Sequence, residues 1–237
     1  MKTIFHKSAE RGHMNFGWLD TYHSFSFGQY YDAKKMHFGA LRVLNDDVVK
    51  GGNGFGTHPH DNMEIVTIPL VGALEHQDSS GGKGVIHVND VQLMSAGSGI
   101  EHSEYNYHPT EDVNFLQIWI YPKERNIAPR YDQKTFLPEE RINKLQYVVA
   151  PNDSSALNAH QDTWISLGNF DKGQQLTYSF HQQNMGLYLM VLEGSVLIND
   201  SLLNRRDAIA IADTHSIDIN MEESKTQLIL IEVPLFN

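Results

Sequence analysis

The sequence predicts an all-β fold, and three observations support this prediction. Five short stretches alternate apolar with polar residues or are continuously apolar, as strands do; they are 38–43, 85–94, 115–121, 187–198 and 227–233. Turns rich in glycine, asparagine and aspartate separate them. Only residues 137–142, with an early proline and acidic residues, indicate the start of a helix. Many short strands at this spacing are typical of a β-barrel or jelly roll.

The composition fits a compact chain with a sizeable core. The chain has 237 residues, of which 41% are hydrophobic. No stretch of about 18 apolar residues is present, so we expect no membrane span. The formal net charge of −11 disfavours binding to nucleic acid or to an acidic membrane. No targeting signal is visible, so we expect a cytoplasmic location.

The chain contains no cysteine. The fold therefore uses no disulfide, and any bound metal must be held by nitrogen and oxygen ligands.

A charged connector that contains three prolines, residues 122–144, divides the chain into two β-rich blocks. The second block contains an apolar run, a glycine and another apolar run at 189–198, and the first block contains a comparable segment at 63–74. This similarity indicates two copies of one β-barrel unit. We therefore predict one domain over residues 1–135 and a second over residues 145–237.

Two pairs of potential metal ligands each have a spacing of two residues and lie beside a glycine-punctuated, strand-like stretch. The pairs are His58 with His60, and His102 with Glu104. Side chains at positions i and i+2 of a strand point to the same face, so two adjacent strands would bring all four together. Three neutral imidazoles and one carboxylate can hold a divalent first-row transition metal and leave coordination positions open.

Glu64 is a second candidate for the acidic ligand. Strand parity places it on the same face as His60, so geometry leaves the choice between Glu64 and Glu104 open. If Glu64 is not a ligand, we expect it to accept a hydrogen bond that orients an imidazole. Asn106 is expected to support a turn.

The other histidines are expected to have structural roles. His76 and His87 lie on strand-like runs, where we favour a half-exposed barrel histidine over a metal ligand. The second block contains His160, His181 and His215, but no pair of histidines two residues apart and no matching glutamate. We therefore predict that the second block holds no metal.

The sequence around these ligands resembles the two cupin motifs. The residues that carry the resemblance are Gly52, His58, His60 and Glu64 for the first motif, and Gly99, His102 and Asn106 for the second. Gly97 replaces the proline that the second motif normally has two residues before Gly99, and the spacing from Glu64 to Gly72 is one residue longer than usual. The flanking segments 24–32, 56–64 and 94–104 are similar to the pirin family, whose bacterial members include quercetin 2,3-dioxygenases.

The resemblance to pirins implies a bicupin with one metal in its N-terminal cupin domain and none in the second. Transferred residue by residue, it implies His58, His60, His102 and Glu104 as ligands, and it favours Glu104 over Glu64. The implied metal is Fe(II), and manganese, nickel, copper and zinc are also compatible with such ligands.

The resemblance also implies an activity. A flavonol such as quercetin would be cleaved with O₂, and Glu104 would act as the catalytic base that takes the proton of the substrate hydroxyl. The alternative that the family implies is a redox-sensitive regulatory protein that binds a protein partner.

Overall fold

The computed structural model describes residues 1–236, and antiparallel strands make up almost all of the regular secondary structure in this range. The all-β prediction is therefore confirmed. Two 3₁₀ helices, Ser8–Glu10 and Pro138–Arg141, account for all helical residues in this range, and the second begins at the predicted proline. No helix within residues 1–236 has the length and apolar character needed to cross a membrane.

Twelve strands precede the second 3₁₀ helix in the described chain. They are β1 (Lys2–His6), β2 (Gly12–Asn15), β3 (Leu19–His23), β4 (Leu41–Val49), β5 (Gly54–His60), β6 (Glu64–Val71), β7 (Ala73–Asp78), β8 (Lys83–His87), β9 (Asp90–Ser95), β10 (Ile100–Asn106), β11 (Val113–Ile120) and β12 (Arg130–Thr135). Nine follow: β13 (Leu145–Val149), β14 (Trp164–Phe170), β15 (Gln175–Ser179), β16 (Met185–Glu193), β17 (Ser195–Ile198), β18 (Ser201–Asn204), β19 (Ala208–Ala212), β20 (Ser216–Met221) and β21 (Thr226–Pro234).

The first barrel consists of residues Gly12–Phe136 and Leu157–Gln161. It has a large sheet in the order β12-β9-β6-β11-β4-β3-β2 and a small sheet in the order β5-β10-β7-β8. Leu74 and Ile86 of the small sheet pack with Val49 and Phe115 of the large sheet in one buried cluster. Alternation of buried and more exposed residues along β7 and β10 gives the small sheet one face toward the barrel interior and one toward solvent.

The second barrel repeats most of the strand order of the first: in its large sheet, which has six strands instead of seven, β19-β16-β21-β14-β13 matches β9-β6-β11-β4-β3. Its large sheet is β1-β19-β16-β21-β14-β13, and its small sheet, β15-β20-β17-β18, corresponds strand for strand to β5-β10-β7-β8. Leu189 and Leu230 of its large sheet lie in one hydrophobic cluster with Val196 and Ile219 of its small sheet. The prediction of two copies of one barrel unit is confirmed by this repeated order.

The contacts divide the chain in a way that a linear boundary does not capture. Residues 1–11 belong to the second barrel, because β1 pairs with β19 over the whole of its length. Residues 157–161, although they follow the connector, belong to the first barrel. The predicted domains, a metal-binding one over residues 1–135 and one without metal ligands over residues 145–237, stay a prediction.

Candidate metal centre

The small sheet of the first barrel brings the two ligand pairs onto adjacent strands. His58 and His60 end β5, while His102 and Glu104 lie on β10, and His102 is directly opposite His58 in the antiparallel register. The register shifts between His102 and Glu104, so that Glu104 is opposite Phe55. Such an irregularity redirects a side chain locally, and it lies between the third imidazole and the acidic residue.

Three imidazole rings converge at the end of these strands. The Nε2 atom of His102 is 3.0 Å from Nε2 of His58 and 2.9 Å from Nε2 of His60. The centroids of the three rings are 4.5 to 4.8 Å apart. His102 is buried, whereas His58 and His60 are partly exposed. The cluster is therefore closed on the side of His102 and open on the side of the other two rings.

Hydrogen bonding at His58 and burial of His60 and His102 favour free nitrogen lone pairs in this cluster. The Nδ1 atom of His58 lies 2.7 Å from the carbonyl oxygen of Gly56, which can only accept, so Nδ1 carries the hydrogen and Nε2 of the neutral ring carries a lone pair. Burial, reinforced by the neighbouring His58, lowers the pKa of His60 to about 4. Burial and the neighbouring histidines lower the pKa of His102 to about 2. Both rings are consequently neutral near pH 7.

The spacing of the three nitrogens fits a metal ion. A histidine nitrogen binds zinc at about 2.0–2.1 Å, so two nitrogens at right angles around one ion lie about 3 Å apart. The separations of 2.9 and 3.0 Å match this value. The cluster therefore has the donor atoms and the spacing for a divalent transition metal.

Glu104 is buried beside this cluster and is held by two side chains of the large sheet. The amide of Gln117 donates to its Oε2 atom at 2.7 Å, and the hydroxyl of Thr67 donates to its Oε1 atom at 3.1 Å. Burial raises the pKa of Glu104 to about 7, although both hydrogen bonds oppose the shift. The carboxylate is thus oriented from two sides, and it can take up a proton near neutral pH.

The potential ligand atoms of the described residues form two groups that share one histidine. One group is His58, His60 and His102, and the other is His76, His102 and Glu104; within each, the atoms lie within 4.8 Å of one another. Glu104 is therefore adjacent to the triad of histidines through His102. Its role as the fourth ligand stays a prediction.

Glu64 occupies a different place. It is the first residue of β6, which belongs to the large sheet. The chain turns at Asn62, which has a φ of +47°, so the strand alternation of side-chain directions that includes His60 does not continue to Glu64. The expectation that Glu64 shares a face with His60 is therefore wrong. Its Oε2 atom accepts hydrogen bonds from the Ser95 hydroxyl at 2.8 Å and from the backbone N–H of His160 at 3.1 Å. Burial raises the pKa of Glu64. These partners tie strands and a loop together and do not orient an imidazole ring.

His76 is the residue of this site that the sequence interpretation missed. It is fully buried instead of half-exposed, because β7 directs it into the barrel opposite Glu104, and Asp78 lies opposite His102. Its Nε2 atom is 2.9 Å from Oδ2 of Asp78, and its ring stacks on Tyr131. Burial lowers the pKa of His76, and Asp78 partly opposes this shift. The available signal was the spacing of two residues between His76 and Asp78, which repeats that of the ligand pairs. His87, by contrast, is exposed.

A pocket of about 380 Å³ opens beside His60. The residues that line it with His60 are Pro59, Asp61, Ser79, Gly99, Ile100 and Glu101. Two of its polar side chains, Asp61 and Glu101, are acidic. Of the three clustered histidines, His60 is the one that lines this pocket.

The corresponding strands of the second barrel carry apolar side chains. On β15 and β20, which match β5 and β10, Tyr178 is opposite Ile217 and Leu176 is opposite Ile219. Tyr178, Ile217 and Ile219 are buried in the hydrophobic core of that barrel, and Leu176 packs against it. His181 is engaged with Glu232, whose Oε2 atom is 2.8 Å from its Nδ1 atom.

Two cupin-type barrels, one with a cluster of histidines in its small sheet, define the class of bicupin proteins with a candidate metal centre. Comparison with known sequences places the chain further. The profile of the pirin family matches residues 5–120, and that of the quercetinase C-terminal cupin domain matches residues 147–233. The chain is 42% identical to quercetin 2,3-dioxygenase of Escherichia coli over 96% of this chain and 97% of the relative. A putative quercetin 2,3-dioxygenase of Pseudomonas aeruginosa is 39% identical over 94% of this chain and 95% of its own length. The chain belongs to the pirin family.

Solved structures agree with this assignment. The crystal structure of the bacterial pirin YhhW from Escherichia coli in complex with nickel(II) has a TM-score of 0.93 and 41% identity, and covers 99% of this chain and 100% of that chain. A quercetin 2,3-dioxygenase from Acinetobacter baumannii, 23% identical with a TM-score of 0.78 over 94% of this chain and 84% of that chain, shares the fold.

Proposed function

We propose that this protein is a metal-dependent dioxygenase that cleaves flavonols such as quercetin with O₂. The centre would consist of His58, His60, His102 and Glu104. The observation that carries the proposal is the convergence of three imidazole nitrogens beside an open pocket, with Nε2 of His102 2.9 Å from that of His60 and 3.0 Å from that of His58. The names of the relatives that are 39–42% identical over nearly the whole chain supply the substrate class.

The histidines would hold the metal, which we propose to be Fe(II). When bound, the metal supplies Lewis-acid stabilisation of a substrate oxyanion and the redox chemistry that O₂ requires. Burial of His102 closes the inner side of the centre, and the partial exposure of His58 and His60 leaves the outer side open. The rings of Trp119 and His60 pack in a T-shaped arrangement, with centroids 4.8 Å apart, and this contact limits the rotation of the imidazole.

Glu104 would take the proton of the flavonol 3-hydroxyl as general base. Gln117 and Thr67 each donate one hydrogen bond to a different oxygen of this carboxylate, which fixes its plane. Each carboxylate oxygen can accept a further bond, so both donors leave acceptor capacity for the substrate.

The pocket beside His60 fits a small, uncharged substrate with several hydroxyl groups. Its volume of about 380 Å³ lies within the range of small-molecule sites. Asp61 and Glu101 at its rim can accept hydrogen bonds from phenolic hydroxyls, while they repel carboxylate or phosphate groups.

The proposal is tested with His58→Ala and His102→Ala, using His87→Ala on β8 of the same sheet as the matched control. We expect both ligand variants to lose bound metal and to lower oxygen uptake with quercetin by at least about 100-fold, while the control keeps both. Metal content is measured by mass spectrometry, oxygen uptake with an electrode, and carbon monoxide release reports ring cleavage.

Wild-type oxygen uptake in a variant without bound metal would contradict the proposal. A wild-type protein that binds metal but consumes no oxygen with any member of a flavonol panel would favour the regulatory alternative.

A further inference from the structure

We propose that His76 and Asp78 form a positioning relay that fixes the tautomer of His102, so that Nε2 of His102 presents a lone pair to the metal. The inference rests on the metal centre of the proposed function, but it does not depend on flavonol cleavage. Neither residue belongs to the set of predicted ligands, and both are buried behind His102.

The relay begins at the carboxylate of Asp78. Its Oδ1 atom accepts from the backbone N–H of Ser80 at 2.8 Å, from the Ser80 hydroxyl at 2.6 Å and from the backbone N–H of Gly82 at 3.0 Å. Its Oδ2 atom faces Nε2 of His76 at 2.9 Å, and neither side chain is exposed. Because a carboxylate can only accept, Nε2 of His76 carries the hydrogen and its Nδ1 atom carries a lone pair.

The second step transfers this constraint to His102. The Nδ1 atoms of His76 and His102 are 3.4 Å apart. Since Nδ1 of His76 is the acceptor, Nδ1 of His102 must donate, and Nε2 of a neutral His102 is left with a lone pair. Such partners commonly fix the orientation and tautomer of histidines that bind metals.

The tautomers of His58 and His102 then place both Nε2 lone pairs in the cluster. Gly56 fixes the lone pair of His58 on Nε2, and Asp78 fixes that of His102 on Nε2, although the two constraints are independent. These nitrogens are 3.0 Å apart with no hydrogen between them. Two lone pairs at this distance repel each other, and a cation between them removes the repulsion.

Asp78→Asn separates the relay from the turn that Asp78 also holds. The two oxygens of Asp78 have different tasks, because Oδ1 caps the turn at residues 78–82 and Oδ2 contacts His76. Asparagine keeps an oxygen for the turn and places an NH₂ group against Nε2 of His76. The tautomers of His76 and His102 would then invert, and a hydrogen on Nε2 of His102 would point into the metal position.

We expect Asp78→Asn to weaken Ni(II) binding by about 10–100-fold, measured by calorimetry. In the metal-free wild-type protein, ¹⁵N NMR of the imidazoles should show His102 with its hydrogen on Nδ1, and in the variant on Nε2. Asp90→Asn is the matched control, since Asp90 is a buried acceptor whose partners, Gln133, Thr135 and the backbone N–H of His87, do not belong to the histidine cluster. It should change neither the affinity nor the spectrum.

A double variant distinguishes the relay from other roles. In Asp78→Asn combined with His76→Gln, the glutamine oxygen can accept from Nδ1 of His102 without help from Asp78, and Ni(II) affinity should recover at least about tenfold over Asp78→Asn alone. No recovery would overturn the relay, because an acceptor that faces Nδ1 of His102 would then not be enough to restore the affinity. A wild-type spectrum with the hydrogen on Nε2 of His102 would overturn it as well, and this reading requires no variant to fold.

Discussion

Glu104 and Glu64 are both buried glutamates of the first barrel, yet their partners give them different chemistry. Glu104 is held by two side chains, Thr67 and Gln117, next to the histidine cluster. Glu64 accepts from Ser95 and from the backbone of His160, so it joins β6 to β9 and to the segment 157–161. A carboxylate that serves as a structural acceptor can be replaced by an amide, whereas a carboxylate that binds a cation cannot.

This difference predicts the effects of the two isosteric substitutions. Glu104→Gln should weaken metal binding by at least about tenfold and lower oxygen uptake with quercetin by about 10²–10⁴-fold, because it removes both the charge and the base. Glu64→Gln should keep metal content and activity, because its amide oxygen still accepts from Ser95 and His160 and its Oε1 atom has no hydrogen-bond partner. Metal titration and oxygen uptake of the purified variants check both outcomes. Loss of metal in Glu64→Gln but not in Glu104→Gln would reverse the assignment.

At the scale of single residues, the sequence predicts relations between positions that are close together in the chain. The spacing of two residues within each pair predicts that His58 and His60, and likewise His102 and Glu104, come from single strands. His76 could not be placed in the same way, because its contact with His102 depends on the register of β7 against β10, across a separation of 26 residues.

Some of the strands coincide with the predicted apolar runs, and others do not. The apolar runs at 115–121 and 227–233 coincide closely with β11 and β21. The run at 85–94, in contrast, is two strands in two sheets, β8 and β9, separated by Asn89 with a φ of +75°. A turn this short changes the apolar pattern of the sequence so little that the pattern does not reveal the boundary between the two strands.

The first strand depends on an element from the far end of the chain. β1 pairs with β19, and Asp207, just before β19, accepts from Lys7 Nζ at 3.0 Å and from the backbone N–H of Ser8 at 2.8 Å. Burial alone would raise the pKa of Asp207, but the hydrogen bonds from Ser8, Lys7 and Asn204 outweigh it and lower the pKa below its usual value. The ionised carboxylate is thus the form that stabilises the docked strand.

Asp207→Asn should therefore lower the free energy of unfolding by about 1.5–3 kcal/mol at pH 7, the range for hydrogen bonds to a charged group. The pKa of Asp207 in the folded protein lies below its unfolded value of about 3.9. The stabilisation by this carboxylate is therefore complete above about pH 3.9 and is lost as the pH falls through the folded pKa. Urea unfolding at pH 7 and pH 3 should show a difference between wild type and variant that shrinks at the lower pH. Asp213→Asn, which removes an exposed ion pair with Lys2 on the same strand, should have a much smaller effect. An equal loss at both pH values would contradict the role of charge.

At the scale of the whole molecule, the small sheets of the two barrels have the same strand order but direct different side chains inward. The small sheet of the first barrel directs imidazoles and carboxylates inward, and these groups need hydrogen-bond partners such as Thr67, Gln117 and Asp78. The matching sheet of the second barrel directs Ile217 and Ile219 into a continuous hydrophobic core. Each fully buried aliphatic side chain stabilises a fold by about 1.5–3 kcal/mol. The duplication could be predicted from the repeated apolar pattern, but the completion of the second sheet by β1 could not, since nothing in the first residues specifies a distant partner.

The difference between the two small sheets predicts the metal stoichiometry of the chain. We expect one equivalent of Ni(II) per chain at saturation, because the second-barrel positions that match the ligand strands hold Leu176, Tyr178, Ile217 and Ile219, and aliphatic or buried phenolic side chains are poor ligands. His181→Ala combined with His215→Ala should retain the one equivalent, whereas His102→Ala should retain none. Mass spectrometry of dialysed protein after titration measures all three. A second equivalent that disappears with the histidines of the second barrel would show that this barrel also binds metal, through groups outside its apolar small sheet.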